Sequence, residues 1–344
     1  MKALFFRKHG DLKVLEYGDL PQPTRGPREV LIKVSAVALN HLDIWVRRGW
    51  SGLSLPMPHI GGSDVVGTIV DAPAGFSLPV DTRVMVLPGM SEVQDEWTER
   101  GEESVSPHYR VIGEHRAGGL AEFISVPQEL VYEAPQTISD HALSASLLTG
   151  LTCWRMLFTR GALVAGETVL VVGSGGGVNS LTIQMSARLG CTVIALAGGK
   201  QKAERALSLG ATYAIDYSTS PEWYREVHRL TNRRGVDLAL DNVGEKTMEQ
   251  SLRSLRWGGR LVTVGNTSGW NVSVDNRLIF AKQLSILGST MGSRGDFESA
   301  QKFLRQHAIE PVIDTVAPLS EGIHQIQRLE RGEHFGKIVL LPSA

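Results

Sequence analysis

Cysteine is scarce in this chain. Cys153 and Cys191 are the only two, each lies among apolar neighbours, and no CxxC spacing occurs, which excludes a disulfide framework and a thiolate metal cage. Both read as buried core thiols. Charge of one sign is not in excess either: 35 basic and 36 acidic residues are interleaved for a formal charge of −1, leaving no footprint for nucleic acid or an anionic membrane. A small molecule is the expected partner. No apolar run approaches the roughly 18 residues of a membrane span. The segment MKALFFRKHGDLKVLEYG alternates like a strand and has no signal-peptide core, so the expectation is a soluble cytoplasmic protein. Internal repeats and low-complexity tracts are missing as well.

What is present divides into two textures. At 344 residues the chain is long enough for two cores. The first 135 residues carry short β-type runs broken by Gly and Pro (Lys2 to Phe6, Glu29 to Leu39, Arg83 to Leu87, Leu120 to Val126), which predicts a mostly antiparallel β domain. A helical stretch near 140 to 160 leads into alternating β and α segments, with apolar strands at Thr168 to Val172, Thr192 to Ala197, Ala214 to Tyr217, Leu238 to Leu240, Arg260 to Val264 and Leu284 to Leu287. Six such strands predict a doubly wound parallel α/β sheet. A helix-like piece after Thr290 and a last strand, Gly336 to Leu341, are expected to return to the first domain. The expected division is 1–148 with 291–344 for the β domain, and 149–290 for the dinucleotide fold.

Gly173 to Asn179 reads GSGGGVN, directly after the strand Thr168 to Val172 and directly before an amphipathic run with Val178, Leu181 and Met185 on one face. Gly173, Gly175, Gly176 and Gly177 suit a turn whose backbone N–H groups must approach a pyrophosphate closely at a positive helix end. Enzymes that take NAD place an acid at the end of the second strand for the ribose 2′-hydroxyl. Here that stretch reads Ala197-Gly198-Gly199-Lys200 with Lys202 close by, so a 2′-phosphate would meet cations instead. NADPH is therefore the expected cofactor, with NADH possible.

The order of β domain, GSGGGVN fold and return strand, together with ALNHLDIWVRRG (38–49), GSDVVG (62–67), GGLAEF (118–123), LTCW (151–154) and GKIVL (336–340), resembles the medium-chain dehydrogenase/reductase family over essentially the whole chain. The resemblance implies a GroES-like β-barrel catalytic domain, a six-stranded Rossmann domain, an active-site cleft between them and a homodimer paired through the edge strand near Leu284 to Leu287. It also implies cofactor contacts. Gly198, Lys202 and Tyr217 would surround the adenosine 2′-phosphate, His41 and Lys337 would approach the pyrophosphate, and Thr152, Asn242, Val243, Gly265 and Asn266 would line the nicotinamide pocket.

The family's zinc branch holds a catalytic metal through a Cys, a His and a further Cys or acid. At the matching positions this chain has Asn40, Ser63 and Leu148, and the four places of the structural zinc lobe read Glu92, Asp95, Thr98 and Ser106. Neither set supplies the donors of a tetrahedral zinc site, so no zinc is expected. Without a Lewis acid, deprotonating an alcohol is hard near neutral pH, whereas quinones and enones spread the developing charge. The similarity is thus to the quinone oxidoreductase branch. Asn40 is the candidate to hydrogen-bond a substrate carbonyl, or else an amide that ties down a barrel loop; Asp43, Trp45 and Ser63 are expected to shape the pocket. Asp64 is expected to orient a backbone group or His41, and His59 to be a loop histidine. Two alternatives stay open: an alcohol dehydrogenase with an unusual metal site built from His41, His59 and Asp64, and a non-catalytic NADPH-binding redox sensor.

Overall fold

Four consecutive apolar residues, Val169 to Val172, need cover on both faces of any sheet they enter. In the computed structural model, which describes residues 1–342, they lie inside a six-stranded parallel sheet ordered Tyr213–Asp216, Thr192–Ala197, Thr168–Val172, Val236–Asp241, Leu255–Thr263 and Ser285–Gly288. Val169 and Val171 face one apolar cluster, which also takes in Cys153 and Cys191. Leu170 and Val172 face the other. This is the doubly wound arrangement expected from the sequence, and it belongs to a unit running from Thr149 to Glu310. Burial pushes the Cys153 thiol up to about 12 and the Cys191 thiol up to about 11, so both stay protonated.

The other unit comprises Met1–Leu148 and the segment from Pro311 onward. Its seven-stranded sheet runs Val131–Glu133, Arg83–Val86, Asp64–Asp71, Glu29–Ala38, Lys337–Leu341 and Ile313–Pro318, and Phe123–Pro127 also pairs with Glu29–Ala38. Glu29–Ala38 is central, buried at seven of its ten positions. Together with the six-stranded parallel sheet, this gives the α/β class with a GroES-like β domain.

Three expectations shift. The return crossing comes at Pro311 and not after Thr290, because helix Arg294–Gln306 sets Leu304, with Ile309 just beyond it, into the apolar cluster of the dinucleotide unit. His59 is no loop histidine: His59–Ile60 is a short strand paired with Phe6 and Phe5, the ring is buried, and Nε2 lies 3.1 Å from the Gly113 carbonyl oxygen. The strand expected at Leu120 to Val126 begins at Phe123. The chain ahead of it is held as a loop, since the Gly118 and Gly119 N–H groups donate to the carbonyls of Ile60 and Gly62.

Candidate active site

Strand register assembles a buried polar centre in the first unit. Ala38 pairs with Asp64 on one side and with Val339 on the other. Two residues further along this antiparallel pairing, Lys337 stands level with Asn40. Its ammonium donates to Asn40 Oδ1 at 2.6 Å and to Asp64 Oδ2 at 2.9 Å, while Asn40 Nδ2 donates to the same Asp64 oxygen at 2.8 Å. The second Asp64 oxygen accepts the Leu148 N–H at 2.6 Å. Lys337, Asp64 and Asn40 are 3%, 0% and 7% exposed, so this ion pair is desolvated and its charges act at low dielectric.

Asn40 precedes helix His41–Arg48, and Asp43 in that helix's first turn accepts the N–H groups of Asn40 and Gly62, both at 2.8 Å. Burial pushes the Asp43 carboxyl up to about 6 against the opposing pull of those donors and of Lys337. His41 is held below the usual histidine range by burial and by the neighbouring Lys337 charge. His334 faces it at 6.1 Å between ring centroids, and Trp45 at 6.4 Å.

Several assignments change in detail. The Asn40 amide donates to Asp64 and, at 3.4 Å, to the Ala38 carbonyl, so both donor hydrogens are engaged within the protein. Ser63 is fully buried and donates to the Ile112 carbonyl at 2.7 Å, a loop-fixing role. Asp64 orients the Leu148 backbone, as expected, but its side-chain partners are Asn40 and Lys337. Lys337 bonds Asn40 and Asp64 within the chain, and no local signal ties it to these residues 297 and 273 positions away.

In the dinucleotide unit, Gly173 adopts φ 84°, which favours glycine, and Gly176 stands as the N-cap of helix Gly177–Arg188. A Cβ on Gly176 would meet nothing within 4 Å, leaving the helix end open to an anion. Val178 lies in the first turn of that helix. Lys202 lies against the turn, where a Cβ added at Gly175 would come 3.4 Å from its Nζ. Lys200 is directed away: its side chain is 88% exposed and sits 3.9 Å from Glu204. Gly198 lies against Tyr217: a Cβ there would fall 2.3 Å from the Tyr217 hydroxyl, at the end of an exposed side chain.

The loop after the fourth strand is built on Asp241. This buried carboxylate accepts from Val243 N and Gly244 N at 2.9 and 3.1 Å, and from the Thr247 and Ser251 hydroxyls at 2.9 and 2.6 Å. Asn242 and Val243 are thereby held at the strand end. Gly244, at φ 92°, lets the following loop approach: a Cβ there would lie 3.2 Å from Asn266 Cα and 3.5 Å from the Gly265 carbonyl oxygen. Thr152 is buried in helix Asp140–Trp154. The sequence did not single out Asp241 as the organiser; four donors converging on one carboxylate are a property of the fold.

Comparison with known proteins agrees with this architecture. The family model described as the alcohol dehydrogenase GroES-like domain matches residues 26–136, and that described as zinc-binding dehydrogenase matches 177–306. An NAD-dependent alcohol dehydrogenase of Saccharolobus solfataricus is 30% identical, with 99% of this chain and 100% of that protein covered. The crystal structure of an NAD-dependent alcohol dehydrogenase superposes with a TM-score of 0.94 at 36% identity, covering 99% of both chains. A crotonyl-CoA carboxylase/reductase in complex with NADP superposes with a TM-score of 0.90 at 25% identity, covering 99% of this chain and 94% of the other. The chain is an oxidoreductase belonging to the medium-chain dehydrogenase/reductase superfamily, among the alcohol dehydrogenase-like proteins.

Proposed function

We propose that this chain is an NADPH-dependent reductase of quinones, enones or related carbonyl compounds that works by direct hydride transfer without zinc. The observation that carries the reading is the Lys337 ammonium bonded to Asn40 Oδ1 and Asp64 Oδ2. The zinc branch of the family has a ligand at the Asn40 position. A fixed cation 2.6 Å from that side chain repels a metal dication, Ser63 is a neutral hydroxyl in place of a histidine, and Leu148 offers no side-chain donor. The lobe that would carry a second zinc has a donor set of the same unsuitable kind. Asp95 accepts from the Ser106 hydroxyl at 2.5 Å and caps a helical turn through Trp97 N and Thr98 N, while Ser91 donates to Ser106 at 3.2 Å.

NADPH fits the second unit: the Gly173–Gly177 turn and the open helix end suit a pyrophosphate, and Lys202 with Tyr217 and Gly198 suits a 2′-phosphate. Bound there, the cofactor supplies the hydride. The NADP in the carboxylase/reductase relative supports this choice, whereas the NAD-dependent alcohol dehydrogenases favour alcohol oxidation as the second reading. Two of the three donors that reading would need already have partners within the chain. His59 Nε2 is on Gly113 O, and both Asp64 oxygens are occupied.

A homodimer completes the proposal. Among the described residues, edge strand Ser285–Gly288 pairs on one side alone, with Leu255–Thr263; it exposes Ile286, and the helix before it exposes Phe280. Such an edge is protected by pairing with its copy across a two-fold axis. Stopped-flow oxidation of NADPH by a panel of quinones and enones tests the activity. Rapid oxidation is expected, and no turnover with any acceptor would sink the proposal.

A further inference from the structure

In the dinucleotide unit the chain runs outward from Thr168–Val172 through Thr192–Ala197 to Tyr213–Asp216, then crosses to Val236–Asp241 on the opposite flank and runs outward again. A dinucleotide lies across such a sheet in the crevice outside the carboxyl ends of the strands, where the order reverses. Here the two strands that border the crevice end level, Val172 pairing with Asp241. The loops leaving them are the glycine-rich turn from Gly173 and the loop from Asn242.

A side-chain clasp joins these two loops. Asn179 Nδ2 donates to Asn242 Oδ1 at 3.2 Å, and Asn242 Nδ2 donates back to Asn179 Oδ1 at 3.0 Å. Asn179 is 4% exposed, and its Nδ2 also reaches the carbonyls of Val172, at 2.9 Å, and of Gly173. Packing runs alongside the clasp: a Cβ added at Gly173 would lie 3.4 Å from Val243 Cγ2. The Val243 carbonyl in turn accepts from the N–H and the hydroxyl of Ser268, both at 2.8 Å, so the loop beyond the fifth strand follows the loop beyond the fourth. The glycine that ordinarily closes the fingerprint at position 179 serves close packing of helix on strand and has no side chain to hold anything. The amide found there ties the two sides of the crevice together.

We infer that Asn179 is a positioning residue for the bound dinucleotide: by clasping Asn242 it fixes the loop beyond the fourth strand against the phosphate turn, in place for the half of the cofactor that extends past the pyrophosphate. This rests on the cofactor placement proposed above and deepens it. The turn and the residues beside the second strand suffice for the adenosine half, whereas the other half meets a loop whose position depends on the clasp. Opening the clasp should therefore weaken the whole dinucleotide and spare its adenosine fragment.

The test uses the full chain with Asn179→Gly, which restores the usual fingerprint residue, with Asn242→Ala, and with both together. Calorimetric titration reads the affinity of each for NADPH and for 2′,5′-ADP, the adenosine half with its 2′-phosphate, and the same pair of titrations is run with NADH and AMP. Each single variant should bind the dinucleotide about tenfold more weakly than wild type while keeping the fragment within about threefold. The double variant should be no weaker than either single one, because both changes open one clasp. Unchanged dinucleotide affinity in Asn179→Gly overturns the proposal, and a loss seen in Asn242→Ala alone would make Asn242 a direct contact. Equal losses for dinucleotide and fragment also overturn it, since they would make the clasp a prop of the fold. The expected pattern with NADH and AMP alone would sustain the clasp and remove the NADPH preference. A wild-type protein that binds neither dinucleotide removes the cofactor reading and the proposal with it.

Discussion

The side chains of Asn179 and Asn242 hydrogen-bond each other reciprocally, Nδ2 of each donating to Oδ1 of the other at 3.2 and 3.0 Å. Asn179 stands where the phosphate-binding fingerprint ordinarily closes on a small residue. It also donates to the Val172 carbonyl at 2.9 Å and to that of Gly173. One side chain thus joins the glycine-rich turn to the loop after the fourth strand. Replacing Asn179 with Ala would leave the Asn242 amide without this partner in a largely buried place, and should cost about 1–3 kcal/mol. A shift of the urea midpoint measures it; an unchanged midpoint would mean that the pair contributes no stability.

Cofactor choice is predicted to depend on Lys202 and not on Lys200. Lys202 lies along the glycine-rich turn, whereas Lys200 points into solvent. Lys202→Ala should weaken NADPH binding about tenfold or more while changing NADH binding little, and Lys200→Ala should change both by less than about threefold. Fluorescence titration with the two cofactors decides. Introducing the missing acid by Gly198→Asp would set its Cβ 2.3 Å from the Tyr217 hydroxyl, so the exposed Tyr217 ring has to swing aside. Gly198→Asp with Tyr217→Ala should turn the preference toward NADH.

Much of this was readable in the sequence, and the reasons are local. The inner strands of the parallel sheet announce themselves because strands buried on both faces must be continuously apolar, as Val169 to Val172 are. The glycines of the turn follow from the closeness a phosphate demands. What escaped were relationships across sequence. Lys337 meets Asn40 because Val339 pairs with Ala38, a register that no pattern near either residue reveals. Helix Arg294–Gln306 looked like the start of the return, yet its apolar residues are as compatible with one core as with the other. Asp241 looks like an ordinary acid in sequence, and its role arises only from the donors that the fold aims at it.

Glu114 gives a pH-dependent prediction. Burial pushes its carboxyl from 4.5 up to about 7, with Arg110 opposing. A carboxyl whose folded value is raised contributes stability that is full below the unfolded value of 4.5 and is lost as pH rises through about 7. Glu114→Gln should therefore match wild type near pH 4 and exceed it near pH 8 by ~1–3 kcal/mol. Denaturation midpoints at the two pH values check this, and a variant less stable than wild type near pH 8 would contradict it.

The exposed sheet edge predicts assembly. Ile286→Lys on the unpaired strand with Phe280→Asp on the helix before it should yield a monomer where a wild-type dimer is expected. Light scattering after size exclusion reads the mass directly. A wild-type monomer would refute the pairing.

The lobe around Asp95 should be held by hydrogen bonds. Asp95→Ala removes the cap of helix Glu96–Glu99 and the Ser106 acceptor together. It should cost about 1–2 kcal/mol and open the 92–107 segment to proteolysis, with chelators having no effect on wild type. Chelator-induced cleavage of wild type would mean that a metal closes the lobe.

The most direct test of a zinc-free reductase is hydride tracing on chelator-treated protein. NADPH deuterated at C4 is mixed with an enone, and the product is analysed by mass spectrometry and NMR. Deuterium is expected on the acceptor carbon, at a rate that chelation leaves unchanged. Absence of transfer, or activity confined to alcohols and restored by one zinc per chain, would contradict it.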